Sequence, residues 1–216
     1  MAAPSSRATG EAIQSQPSPP GSLPAAFAAS VRDDGEETLE TLIDSCRAVS
    51  ERATNTIKIA ERNNWLLDTA LDLLTLGRAA LYAAVLVDAA LSDSCRQSLR
   101  DAVDGFRRAS AQEFIPLGLL SRAWLRRLGG DLAGAKEDLD EAFEIAERGP
   151  MPLHLADIHL HRARLFGLGK YRPPAYPWES PQADLKEARR LIEKHGYGRR
   201  REELEDAEAA LRAMAG

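Results

Sequence analysis

Two cysteines in 216 residues, Cys46 and Cys95, are too few for a disulfide framework, and a chain of this length buries a sizeable core without one. A reducing cytoplasm is the expected compartment. There is no basic surplus: 28 Lys and Arg stand against 33 Asp and Glu, and the net charge of -5 argues against a partner rich in phosphates. Long hydrophobic runs are missing as well. The most apolar window, Leu71 to Leu91, is interrupted by Asp72, Arg78 and Asp88, and its longest uncharged run, Ala79 to Val87, is too short to span a bilayer. The first thirty residues lack the apolar stretch of a signal peptide. A Gly-x-x-x-x-Gly-Lys-Ser/Thr loop is also absent, so nothing cradles a nucleotide phosphate in the usual way. Neither nucleic acid nor membrane is an expected partner, and no cofactor is expected.

What is present falls into two parts. Residues 1–35 hold Pro4, Pro17, Pro19, Pro20 and Pro24, six serines and one aromatic, Phe27, a composition that reads as a disordered leader. Beyond it, over 36–216, apolar residues recur at three and four, and Ala, Leu, Arg and Glu dominate, which predicts helix almost throughout. Pro116, Pro150, Pro152 and the cluster Pro173, Pro174, Pro177 and Pro181 fall where helices should start or loops run.

The chain also repeats itself. Ile59-Ala60-Glu61-Arg62 returns as Ile145-Ala146-Glu147-Arg148, and the same offset of 86 sets Leu74, Gly77 and Arg78 on Leu160, Ala163 and Arg164. Leu74, Leu120 and Leu160 mark one helix of a pair, and Ala53, Leu99, Leu139 and Leu185 mark the other. From the second kind to the next of the first kind the step is 21 each time, whereas the reverse steps are 25, 19 and 25. A constant turn implies constant packing, as stacked helical hairpins require. The middle step of 40, discounted by a six-residue insert, gives the tetratricopeptide period of 34. The expected fold is all-α: a tetratricopeptide-like right-handed solenoid with helix pairs at about 65–110, 113–148 and 151–195, flanked by capping helices, the last at about 199–214. The apolar stretch from Val85 to Ser94 should extend the first helix of its pair.

The run from Asn63 to Asp72, with Leu76-Gly77-Arg78, Leu117 to Ala123, Gly130-Asp131-Leu132 and Asp138 to Ala142, resembles the C-terminal tetratricopeptide region of bacterial NACHT-type signal-transduction NTPases. Glu147 to Met151, Leu155-Ala156-Asp157 and the closing Gly196 to Arg200 extend the resemblance from about residue 50 to the end. In that family the region follows an ATP-binding switch and acts as sensor or scaffold. The resemblance therefore implies an adaptor or sensor module, with an NTPase switch domain in trans as a possible partner. The missing phosphate loop keeps the NTPase activity itself from carrying over.

Candidate sites follow from spacing. In such arrays the inner helices line a groove for an extended peptide or partner helix, and Arg78, Trp124 and Arg164, with Arg127 a turn on, take equivalent places there. Guanidinium groups flanking an indole suit an acidic peptide with an apolar anchor, unless Arg78 and Arg164 pair with carboxylates of the array itself. Tyr171, Tyr176 and Trp178, in a proline-rich turn, either form a binding loop or fold back over the array. His154, Asp157 and His161 share one helix face at i, i+3 and i+7, a spacing suited to metal or to a solvated polar face. His159, on the opposite face, reads as packed. Arg199-Arg200-Arg201, followed at once by acidic residues, reads as a solvated capping helix. The expected function is a non-catalytic protein-protein interaction module. The alternatives are a metal-dependent hydrolase using His154, Asp157 and His161, and a self-assembling structural module.

Overall fold

The structure is a computed structural model and describes residues 36–168 and 172–214; the proposed leader, 1–35, lies outside the described residues. Among those described there is helix and no strand. The helices are α1 (Glu36–Arg62), α2 (Leu66–Leu86), α3 (Asp93–Arg108), α4 (Ile115–Leu128), α5 (Leu132–Arg148), α6 (Pro152–Arg162), α7 (Pro181–Lys194) and α8 (Arg201–Ala213). A π-turn, Ala163–Gly167, continues α6, and a 3-10 turn, Gly198–Arg200, leads into α8.

Local chemistry sets the boundaries. Pro116, Pro152 and Pro181 sit in the first turns of α4, α6 and α7, where a missing N–H costs nothing. Ser92, Asp131 and Ser180 cap α3, α5 and α7 by accepting from Cys95, Gly134 and Ala183 N–H. The helix ends share one device. After α1, α2, α3, α4 and α7 the chain turns through Asn64, Asp88, Ser110, Gly130 and Gly196, all with positive φ. In each case the next N–H reaches back to a carbonyl in the last turn, as from Trp65 to Ala60, Asp131 to Arg126 and Tyr197 to Ile192. The extension of α2 into the 85–94 stretch stops at Leu86, because Asp88 already takes the left-handed turn.

Each helix packs on the next in the chain, and α2 also touches α4, as α4 touches α6. The positions equated by the sequence repeat are buried alike: Leu74, Leu120 and Leu160 in α2, α4 and α6, and Ala53, Leu99, Leu139 and Leu185 in α1, α3, α5 and α7. Gly77 lets α2 approach α3 so closely that a Cβ there would sit 2.7 Å from Leu99. The period needs correction. The six extra residues belong to the α2–α3 and α6–α7 pairs, and α4 to α6 are joined by three-residue links, 129–131 and 149–151. The step of 40 from Leu120 to Leu160 therefore stands, longer than a tetratricopeptide's 34.

A second correction concerns α2. As formed, Leu66–Leu86 is long and apolar enough, by length and composition alone, to cross a membrane even with Asp72 and Arg78 inside it, because it ends before Asp88. Its Ala70, Leu74 and Leu81 instead lie in a core with Leu99 and Phe106 of α3 and Leu119 and Ala123 of α4. A second apolar cluster joins Leu160 and Ala163 to Leu185, Ala188 and Ile192 of α7 and Leu204 of α8. Between α4 and α5 the core also holds a buried ion pair, with Arg122 gripping Asp138 through Nε at 3.1 Å and Nη2 at 2.6 Å. Burial pushes the Asp138 carboxyl up, against the pull of Arg122 and Arg126.

Candidate functional site

Because α2, α4 and α6 lie side by side, one turn of each forms a continuous strip. On α2, half-buried Arg78 reaches across to α4, donating from Nε to Ser121 Oγ at 2.7 Å and from Nη2 to the Leu117 carbonyl at 3.1 Å. One turn on, the exposed Tyr82 ring tilts against Trp124 of α4 at 5.4 Å. Arg127 bridges onward to α6, donating from Nε to the Leu165 carbonyl at 2.7 Å. Of the groove residues read from the sequence, Arg78 and Trp124 are thus neighbours through Tyr82, a member the spacing did not reveal. Arg127 is engaged between helices.

Arg164, on the π-turn, faces the other end of the strip, where its Nη1 pairs with Glu203 Oε2 of α8 at 3.0 Å. Arg200 holds the same carboxylate from the other side, Nη1 to Oε1 at 2.6 Å. The inner edge of Arg200 reaches fully buried Asp157, Nε to Oδ1 at 2.8 Å, and Tyr197 Oη donates to Asp157 Oδ2 at 3.0 Å. Arg199 lies on the Tyr197 ring and donates to its hydroxyl. Pairing within the array therefore holds for Arg164, while Arg78 takes only neutral acceptors among the described residues.

The electrostatics tie the two ends together. Burial pulls the Arg78 guanidinium below its ordinary value, and the charges of Arg200 and Arg199 add to this while Tyr82 and Asp157 oppose it. Burial also works against the charge on Arg200, yet Asp157 and Glu203 raise it overall. Four guanidinium groups, Arg78, Arg164, Arg199 and Arg200, face two carboxylates, Asp157 and Glu203. These six groups carry a net positive charge on a chain that is negative overall. The solvated reading of Arg200 needs revision accordingly, since Arg200 is anchored inward by Asp157, whereas Arg199 is exposed.

His154, Asp157 and His161 do not converge. His154 Nε2 meets the Glu113 carbonyl at 3.0 Å, His161 Nδ1 meets the Asp157 carbonyl at 2.8 Å, and the Asp157 carboxylate belongs to Tyr197 and Arg200. Among the described residues no group of three His, Cys, Asp or Glu is placed to hold a metal ion. Burial drives the His161 pKa down to about 4; Asp157 resists this and Arg164 reinforces it.

The aromatic turn folds inward. Tyr171 lies outside the described residues. Tyr176 Oη donates to Asp184 Oδ2, and burial with that bond drives its pKa up. Trp178 Nε1 donates to Asp140 Oδ1 at 2.8 Å. The guanidinium of Arg162 lies between the Trp178 and Phe143 rings at 4.6 and 4.5 Å. His159 completes the cluster by bonding Asp184 at 2.6 Å and meeting Phe143 edge-on. Tyr176 and Trp178 thus fold back, part-buried, against α5 and α7. Comparison with known proteins gives no match, neither to a family model, nor to a curated protein, nor to a solved structure.

Proposed function

We propose that this chain is a non-catalytic interaction module of the cytoplasm, a tetratricopeptide-like array of helical hairpins whose strip across α2, α4 and α6 receives an acidic peptide or partner helix. The observation that carries the reading is the composition of the strip. The Tyr82 and Trp124 rings offer apolar anchorage, and Arg78 and Arg199 hold their charges without a carboxylate partner among the described residues. An exposed Tyr82 ring and a part-buried Trp124 ring beside under-compensated guanidinium groups suit a segment that alternates acidic and apolar side chains. The NTPase switch implied by the family resemblance is one source of such a segment.

The test is fluorescence anisotropy with a labelled peptide of alternating glutamate and leucine, set against its glutamine counterpart. Preference for the glutamate peptide, falling as salt rises, is the expected result. Arg199→Ala, which removes an exposed side chain, should weaken binding by about three- to tenfold while leaving helicity unchanged. Equal affinity for the two peptides, or none for either, would count against the acidic ligand.

A second reading rests on the tip between α1 and α2, where Ile59, Trp65 and Leu66 are each about half exposed. Three large apolar side chains together suit self-association. Light scattering across a concentration series checks it, and a monomer throughout would exclude it.

A further inference from the structure

Glu203 is unlike the other carboxylate of the site. Asp157 is buried and held by Tyr197 and the inner edge of Arg200, so it is part of the fold. Glu203 stands in the first turn of α8 with 35% of its side chain exposed, and it places one oxygen on Arg164 and the other on the outer edge of Arg200. Arg164 has no other ion-pair partner among the described residues. Two guanidinium groups sharing one carboxylate, open to solvent, form the contact an incoming acidic side chain would make. The neighbouring Arg78 and Arg199, which lack carboxylate partners, would draw such a side chain to the same place.

We propose that Glu203 is an internal occupant of the acidic-ligand site, competing with a ligand carboxylate for Arg164 and Arg200. The inference rests on the acidic-peptide reading above and adds its regulation: α8 sets the affinity by supplying a tethered competitor. The competitor is weakly held, since half-exposed ion pairs contribute little to stability. A peptide carboxylate therefore displaces it at small cost, and the Asp157–Arg200 anchor keeps α8 in place while it does so.

The full chain, its Glu203→Gln variant, Arg164→Gln and the double variant are compared for binding the labelled glutamate–leucine peptide, with helicity and melting measured for each. Glu203→Gln keeps the shape of the side chain and removes its charge. It is expected to bind about three- to tenfold more tightly than the parent. Arg164→Gln alone should change affinity by less than about twofold, because its guanidinium is already occupied, yet it should abolish the gain in the double variant. Additive effects, or a Glu203→Gln variant that binds like the parent or more weakly, would overturn the competition while leaving the acidic-peptide reading intact. If neither parent nor Glu203→Gln binds, both fall.

Discussion

His161 is a histidine that the fold keeps neutral. With its pKa brought down to about 4 by burial, the folded state refuses a proton that the unfolded chain accepts from about pH 6.5 downward. Stability therefore falls as pH falls between those values, at about 1.4 kcal/mol per pH unit and by about 3 kcal/mol in all. Urea melts from pH 7 to 4 should show that slope, and His161→Gln should flatten it by the same amount. Sequence pattern placed this residue on one face with His154 and Asp157, suited to metal or to a solvated polar face, and did not reveal its burial. Its burial and the charge of Arg200 come from a distant stretch of chain closing over it, while Asp157 and Arg164 sit a turn to either side on its own helical segment. The buried charges were legible in a different way. Arg122 and Arg162 each follow a repeat leucine by two, and Asp138 and Asp184 each precede one by a single residue. That regularity escapes a search confined to apolar residues.

At the scale of elements, the recurring left-handed turn decides where helices stop. Three of its five occupants, Asn64, Asp88 and Ser110, carry a Cβ that the conformation disfavours, and serine lacks the tolerance that asparagine and aspartate have for it. Ser110→Gly should stabilise the chain by about 0.5–1 kcal/mol, a rise in Tm of about 1–4 °C by calorimetry, and a lower Tm would mean that the Ser110 side chain is needed there. Prolines and Gly130-Asp131 made most helix boundaries readable in advance, because each acts on its own backbone. The π-turn at Ala163–Gly167 was not readable: it arises where α6 is tied sideways, with Arg127 on the Leu165 carbonyl and Gly167 against Pro181. It matters because it carries Arg164.

Across the whole molecule, packing proceeds by neighbours, with one apolar cluster from α2 through α6 and another from α6 through α8. The all-helical class and the buried repeat positions were evident from periodicity. The candidate site was evident only by halves, since Arg78, Trp124 and Arg164 follow from the repeat, while Tyr82 joins through the α2–α4 contact and Tyr197 and Arg200 through the chain that leads into α8. The division into two apolar clusters lets the α2–α3 seam open on its own, and the molecule carries a reporter for it. Cys95 is buried against the Gly77 carbonyl at 3.4 Å with its thiol pushed up by burial, whereas Cys46 is half-buried on α1. An aromatic disulfide reagent should consume Cys46 quickly and Cys95 on the order of a thousandfold more slowly, and comparable rates would mean that the seam is open in the native state. The thiol at this tight helix-helix approach is thus a built-in stopwatch, read by absorbance in unmodified protein, for how often α2 and α3 part company.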